Sequence, residues 1–319
     1  MKKALCLGAG GFIGSHMVKR LKKDGYHVTG VDLVLPAFSK TKADCFKIGD
    51  LRNPDFVNSL FIHDFDELYT FAADMGGAGY IFTGENDANV MHNSGLINMN
   101  VAYYASKYKV GRLFYSSSAC IYPDFRQTEF DVSLRERDAI PASPDSCYGW
   151  EKLCSEKLYD AFFRNYNLDV RIARFHNIFG EEGTWKGGKE KYPAAICRKV
   201  AEAKDGEIIT IWGDGYATRS FLYIDECIEG VCRLMQSDYQ QPINIGSNES
   251  ISVKALAEMV IEISGKDLKI GYDLGKPQGV RGRNSNNELI QEKLGWKPSQ
   301  PLRVGIEKLY NWISKQVNK

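Results

Sequence analysis

The run Gly8-Ala9-Gly10-Gly11-Phe12-Ile13-Gly14 constrains the fold more than any other stretch of the chain. It lies between an apolar segment, Ala4–Leu7, and an amphipathic one, Ile13–Lys23. Those patterns predict a buried strand, a tight turn and a helix. Glycines at 8, 11 and 14 let the backbone turn sharply and approach a ligand. The helix opening at Phe12-Ile13 offers unpaired N–H groups and a partial positive charge, which together suit a pyrophosphate. Asp32 ends the next predicted strand, His27–Asp32. That is about 20 residues on, where this pattern sets an acid against an adenosine ribose. Its charge repels a 2′-phosphate, so the sequence points to NAD over NADP.

The alternation continues downstream. Glu67–Phe71, Leu113–Ser116 and Val170–Arg174 read as strands, and Leu96–Tyr108 as a helix. This predicts an α/β fold with a Rossmann-type, doubly wound, mostly parallel sheet. Residues 180–191 read as a loop and Pro193–Lys204 as a helix beyond it. Helical patterns at Val253–Ser264 and Leu302–Lys315 predict a smaller C-terminal α/β lobe. No repeat or low-complexity linker separates the parts, so the lobe must form by insertion and return of the chain. Residues 1–178, with a return segment at about 216–246, are expected to bind the cofactor. Residues 179–215 and 247–319 are expected to form the substrate lobe.

Composition excludes several function classes. The 41 basic residues nearly balance 40 acidic ones, so there is no footprint for nucleic acid and no polybasic membrane patch. No apolar run approaches the roughly 20 residues that cross a bilayer. The start, Met1-Lys2-Lys3 and Ala4–Leu7, is too short for a signal peptide and runs directly into the glycines. Eight cysteines form no CxxC pair and no tight Cys/His cluster. That predicts no metal site and free thiols in a reducing cytoplasm.

Further cofactor positions follow from the strand ends. Asp50-Leu51 can sit against the adenine, and Ala72 leaves room for close approach. Asn93 either meets the cofactor, positions a water or lies on a helix surface. Tyr148 and Lys152 are four apart, hence on one helical face. An ammonium beside a phenol favours the phenolate, which can take a proton from a sugar hydroxyl while hydride leaves for NAD. Upstream, one of Ser116-Ser117-Ser118, with Ser118 the choice, can hydrogen-bond the reacting oxygen.

Together the glycines, Ser118 and the Tyr148/Lys152 pair resemble the extended short-chain dehydrogenase/reductases. Several stretches are similar to the GDP-mannose 3,5-epimerase family over nearly the whole chain. They include 73–77 (ADMGG), 117–123 (SSACIYP), 174–178 (RFHNI), 183–191 (GTWKGGKEK), 212–215 (WGDG), 218–221 (TRSF) and 280–285 (VRGRNS). The resemblance implies oxidation at sugar carbon 4, enolate formation, reprotonation at carbons 3 and 5, and hydride return. It implies Cys120 and Lys186 as the acid/base pair. Chemically, a thiol and an ammonium can both be tuned toward neutrality. If the strand carrying Ser118 continues, Cys120 at i+2 points the same way. The resemblance also implies Gly77 and Gly79 at the sugar, and Asn177, Lys191, Arg219 and Arg281 at the diphosphate and sugar. Arginine suits phosphate through its planar fork. A GDP-sugar substrate and a homodimer are implied in the same way, whereas His176 reads as structural.

Two positions depart from the family pattern. Trp150 stands where a smaller aliphatic residue is usual, and Ala78 where a bulkier one is. Both are expected to reshape the sugar pocket, which leaves a related GDP-sugar such as GDP-manno-heptose as the alternative substrate. A 4-epimerase or 4-reductase is the alternative chemistry. A 4,6-dehydratase would carry an acid pair where Ala119-Cys120 stand, and a non-catalytic regulator would not need Tyr148, Lys152, Cys120 and Lys186 together.

Overall fold

A computed structural model describes residues 1–276 and 279–319. In the first part of the chain the elements are β1 (Lys3–Leu7), α1 (Phe12–Lys23), β2 (His27–Asp32), β3 (Cys45–Ile48), α2 (Pro54–Leu60), β4 (Glu67–Thr70), α3 (Ala78–Ile81), α4 (Asp87–Lys107), β5 (Arg112–Ser118) and β6 (Ser133–Leu134). The middle carries α5 (Cys147–Tyr166), β7 (Val170–Phe175), β8 (Asn177–Phe179), α6 (Tyr192–Glu202), β9 (Ile208–Trp212), β10 (Thr218–Tyr223), α7 (Ile224–Gln236) and β11 (Ile243–Ile245). The remainder holds β12 (Ser250–Ser252), α8 (Val253–Ser264), β13 (Lys269–Asp273), β14 (Gly282–Ser285), α9 (Glu288–Leu294) and α10 (Leu302–Val317).

The main sheet runs β11-β7-β5-β4-β1-β2-β3, every neighbouring pair parallel. The chain winds outward through β2 and β3, crosses back to β4 beside β1, then winds the other way. That reversal opens a crevice at the C-terminal ends of β1 and β4. In β1, Ala4 and Cys6 join the core on one face of the sheet, and Leu5 and Leu7 join the core on the other. A central parallel strand covered on both sides must be apolar on both, so it reads as an unbroken hydrophobic run. This is the expected Rossmann-type sheet.

Helix α4 starts at Asp87, well before the predicted Leu96. Its first turns are polar, and packing of Val90, Ser94 and Asn98 holds them where periodicity alone gives no signal. Ser146 caps α5 by accepting from the Gly149 N–H, which fixes where Tyr148 begins its turn.

The smaller lobe holds a second sheet, β12-β10-β14-β6, with β8 pairing β10, and a pair of strands, β13 and β9. Of the expected return segment 216–246, α7 and β11 rejoin the nucleotide side, whereas β10 lies in the smaller sheet. β6, from the first half of the chain, also joins that sheet through β14. The two lobes are thus laced together by strands that neither sequence half supplies alone. Among the described residues no helix is long and apolar enough to cross a membrane.

Candidate active site

At the crevice a cleft of about 700 Å³ is lined by the glycine turn and the start of α1. Gly8 has φ +85°, and a Cβ there would lie 2.7 Å from the Ala72 nitrogen at the end of β4. Only glycine fits, so the turn and the β4 end close together against the ligand path. No side chain caps α1 at Gly11. Its first N–H groups are therefore left for an anion. The Asp32 carboxylate is fixed by three backbone donors, Gly10 N–H at 2.9 Å, Leu33 N–H at 2.7 Å and Val34 N–H at 3.4 Å. Gly10, which the sequence reading passed over, supplies one of those donors. Gly14, Asp50, Leu51, Ala72 and Asn93 line the same cleft. Asn93 bridges Asp74 (2.8 Å) and the Arg52 guanidinium (2.9 Å), and Arg52 in turn clamps both oxygens of Asp50. Arg52 is a second cleft residue that no motif in the sequence singles out.

A second cavity of about 340 Å³ adjoins the first, and Ser118, Tyr148, His176 and Lys191 line both. These shared residues stand where a cofactor in one space would meet a substrate in the other. The hydroxyls of the serine run diverge. Ser116 donates to Thr70 O (2.8 Å) and Ser117 to Glu156 (2.5 Å), which leaves Ser118 for the junction. There Ser118 hydrogen-bonds the Tyr148 hydroxyl and accepts from the Cys120 N–H at 3.2 Å.

Tyr148 is buried, and burial pushes its hydroxyl well above the ordinary range. Nearby Cys120 adds to the rise, and the Ser118 hydrogen bond opposes it. Lys152 is buried too, and burial lowers its pKa. Its Nζ donates to Ser116 O at 2.8 Å and lies 5.8 Å from the centre of the Tyr148 ring. The predicted lowering of the phenol by this ammonium is therefore outweighed in the chain itself. A low-dielectric site disfavours both charged forms, and the lysine sits over the ring rather than on the oxygen.

Cys120 reaches the second cavity by a different route from the one expected. β5 ends at Ser118, and residues 119–121 form a single 3-10 turn, so strand alternation does not orient the thiol. The turn itself faces Cys120 to the cavity. Gly77, Gly79, Asn177, Lys191 and Arg219 line this cavity as well. A Cβ at Gly77 would lie 2.3 Å from Glu190 O, so its smallness admits the 189–190 backbone in addition to any sugar.

Two expected substrate residues are not on the cavity wall. Lys186 is exposed and folds its ammonium over the Trp185 ring at 4.7 Å. Gly187 and Gly188, both with φ near +90°, then turn the chain before it reaches the site. Lys191, the residue before α6, is the lysine that faces Cys120, and burial lowers its pKa while Cys120 acts against this. Arg281 is held outside by Asp214 (2.9 Å) and the Phe130 ring (4.4 Å). Arg283, two residues on, lines the cavity in its place. Of the two departures from the family pattern, Ala78 lines the cavity, but Trp150 points outward and is 41% exposed, so it does not shape the pocket. His176 is buried at the junction of the two cavities, with its pKa held down at about 3 by burial and by Arg283 and Arg174, opposed by Asn244.

Residues 4–246 match the NAD dependent epimerase/dehydratase family. The chain belongs to this family. It is 46% identical to GDP-mannose 3,5-epimerase 1 of Oryza sativa subsp. japonica over 98% of this chain and 82% of that one. Identity and both shares are the same for GDP-mannose 3,5-epimerase of Arabidopsis thaliana. Among solved structures, a UDP-glucuronic acid 4-epimerase from Bacillus cereus, in complex with UDP-glucuronic acid and NAD, superposes with a TM-score of 0.85. That pair is 26% identical and covers 99% of each chain. Family membership together with 46% identity to the GDP-mannose 3,5-epimerases over 98% of the chain makes it an NAD-dependent nucleotide-sugar epimerase. The glycine cradle, the uncapped start of α1 and the clamped Asp32 fit NAD.

Proposed function

We propose that the enzyme inverts carbons 3 and 5 of a GDP-hexose of the GDP-mannose type, by transient oxidation at carbon 4. The observation that carries this is the meeting of Cys120 and Lys191 with Ser118 and Tyr148 around one cavity. A thiol and an ammonium from separate elements are what a ketone-assisted epimerisation requires beyond the Tyr/Ser/Lys set, and a simple 4-epimerase would need neither.

When bound, NAD supplies the hydride acceptor and a cationic ring that favours a phenolate beside it. Tyr148 takes the proton of the carbon-4 hydroxyl, and Ser118 holds that oxygen. Lys152, fixed on Ser116 O, adds positive charge beneath the Tyr148 ring. The new ketone acidifies the hydrogens on carbons 3 and 5. Cys120 and Lys191, rather than Cys120 and Lys186, remove and return those protons. Arg219 and Asn177 receive the diphosphate; Arg219 stays cationic at neutral pH although burial and Arg283 bring its pKa down to about 10. Asn177 is oriented by its bond to Ser220 O at 3.0 Å. The small side chain of Ala78 leaves room for a GDP-manno-heptose as a second substrate. A cytoplasmic homodimer belongs to the same reading. Its supports are the free thiols, including exposed Cys45 and Cys154, and the exposed Met99, Tyr103 and Trp150 on helices α4 and α5.

The test is incubation with GDP-mannose in deuterium oxide, followed by NMR. Deuterium at carbons 3 and 5 with L-sugar products is expected. Turnover at carbon 4 without label would sink the proposal.

A further inference from the structure

An acid/base thiol needs a reason to carry charge, and Cys120 has one in a residue that no strand pattern singles out. Strand β14 runs beside β10, which aligns Arg283 with Arg219. The Arg283 side chain is buried, and all of its nitrogens donate. Nη1 donates to Cys120 Sγ at 3.1 Å, Nη2 to Asp145 at 2.5 Å and Nε to Gln127 Oε1 at 2.5 Å. Gln127 is itself oriented, because its amide nitrogen donates to Tyr122 O (3.0 Å) and Pro123 O (3.1 Å). Its oxygen is thereby turned to the guanidinium. The planar fork is thus pinned on two sides and aims its third edge at the sulfur.

The titratable groups that sense Cys120 are Tyr148 and Lys152 on α5, Lys191 before α6, Arg219 on β10 and Arg283 on β14. Among the described residues, Arg283 is the one whose donor reaches the sulfur. A neutral thiol is a weak acceptor, whereas a thiolate is a strong one, most of all for a charged donor. Burial acts to lower the pKa of Arg283, but Cys120 and Asp145 outweigh it and hold the guanidinium above its ordinary range. Arg283 therefore keeps its protons and does not compete as the acid.

Resting on the epimerase reading above, we propose that Arg283 is a positioning residue for proton transfer at Cys120. Its N–H supports the negative charge that develops on the sulfur during that transfer, and Asp145 and Gln127 hold Arg283 in the orientation that reaches it. In the step served, the ketone-sugar C–H bond breaks, an S–H bond forms and the electron pair passes to the enolate oxygen. The Arg283 hydrogen bond to sulfur weakens as the charge leaves.

The test reads the thiol directly. Wild type, Arg283→Gln, Arg283→Lys and Asp145→Asn are treated with iodoacetamide at neutral pH, and the Cys120 peptide is quantified by mass spectrometry. Arg283→Gln should slow alkylation of Cys120 about tenfold or more, the weight of a hydrogen bond to a charged group. Exposed Cys45 and Cys154 serve as internal controls and should react at the wild-type rate. Arg283→Lys should restore part of the rate, and Asp145→Asn should slow it by a smaller factor. Reduction of bound cofactor, followed at 340 nm on adding nucleotide-sugar, should persist while deuterium incorporation falls. A merely structural role would lower both together. Wild-type alkylation of Cys120 in folded Arg283→Gln overturns the proposal. If that variant does not fold, a wild-type rate in both Arg283→Lys and Asp145→Asn overturns it instead. Alkylation requires no substrate, so its outcome is separate from that of the deuterium test on the wild type.

Discussion

Replacing Lys191 by Met should stop inversion while the fold survives, and the same change at Lys186 should leave both inversion and fold intact. Lys191 is half-buried beside Cys120 in the second cavity, and desolvation lowers its pKa, which makes it a readier proton donor. A positioned acid/base group contributes about 10²–10⁴-fold in rate. That is roughly 3–5 kcal/mol of barrier. Met keeps the length and volume of the side chain, so the cost in stability should stay below about 1.5 kcal/mol. The Lys191 side chain makes no capping hydrogen bond, so α6 loses none when it is replaced. Lys186 is exposed over Trp185, and such a contact is worth about 0.5–1 kcal/mol of stability. Its loss should leave the rate within about twofold, since a solvated charge outside the cavity is screened from the reacting atoms. The assay is deuterium incorporation at carbons 3 and 5 by NMR, paired with thermal melts. If Lys191→Met turned over normally, or Lys186→Met lost deuterium incorporation while remaining folded, the assignment by cavity geometry would be refuted.

Three further outcomes follow from the site. Tyr148→Phe should abolish carbon-4 oxidation, so that adding substrate gives no absorbance at 340 nm; a reduced cofactor in that variant would remove Tyr148 from the mechanism. Asp32→Asn keeps one acceptor oxygen but removes the charge, and should tighten NADP binding by about tenfold, the scale of one charge–charge repulsion at a partly exposed site. Unchanged NADP affinity by fluorescence titration would contradict the role of Asp32. His176 is held neutral in the fold with a pKa of about 3 against its ordinary 6.5. Below about 6.5 the unfolded chain takes a proton that the folded chain refuses. The stability contribution is therefore complete above that pH and is lost as pH falls toward about 3, with a slope of at most ~1.4 kcal/mol per pH unit. Melting temperatures between pH 7.5 and 5.5 should fall less steeply for His176→Gln than for wild type. Parallel curves would show that His176 does not set the slope.

Much of this was legible because its causes are local. The glycine turn, the strand before it and Asp32 lie within one βαβ unit, where spacing dictates geometry. Tyr148 and Lys152 share a helix face whatever the rest of the chain does. Legibility ended where a side chain's direction depends on a turn or on a strand from far along the sequence. Cys120 was legible through the family resemblance, whereas its orientation was not, because a 3-10 turn replaces the expected continuation of β5. Lys186 and Lys191 look alike in a glycine- and lysine-rich loop, and only the path through Gly187 and Gly188 separates them. Arg281 and Arg283 are two apart and would share a face in one continuous strand, but β14 begins at Gly282, so Arg283 is set beside Arg219 while Arg281 lies outside the strand and turns to Asp214. No sequence signal marked Arg52, and for Arg283 the usable one was the arginine's neighbourhood in 280–285.

By itself, the sequence determined the α/β class, the NAD turn and the Tyr148/Lys152 pair, since each rests on periodicity or short spacing that local backbone geometry must obey; the family was legible as a resemblance of motifs along the whole chain. Only the tertiary structure decided which lysine meets Cys120, which arginine holds its sulfur and which strands lace the two lobes. Those choices are settled by packing between residues far apart in the chain, such as Cys120 and Arg283. Burial there sets the charge states that the chemistry needs, and burial is a property of the assembled fold.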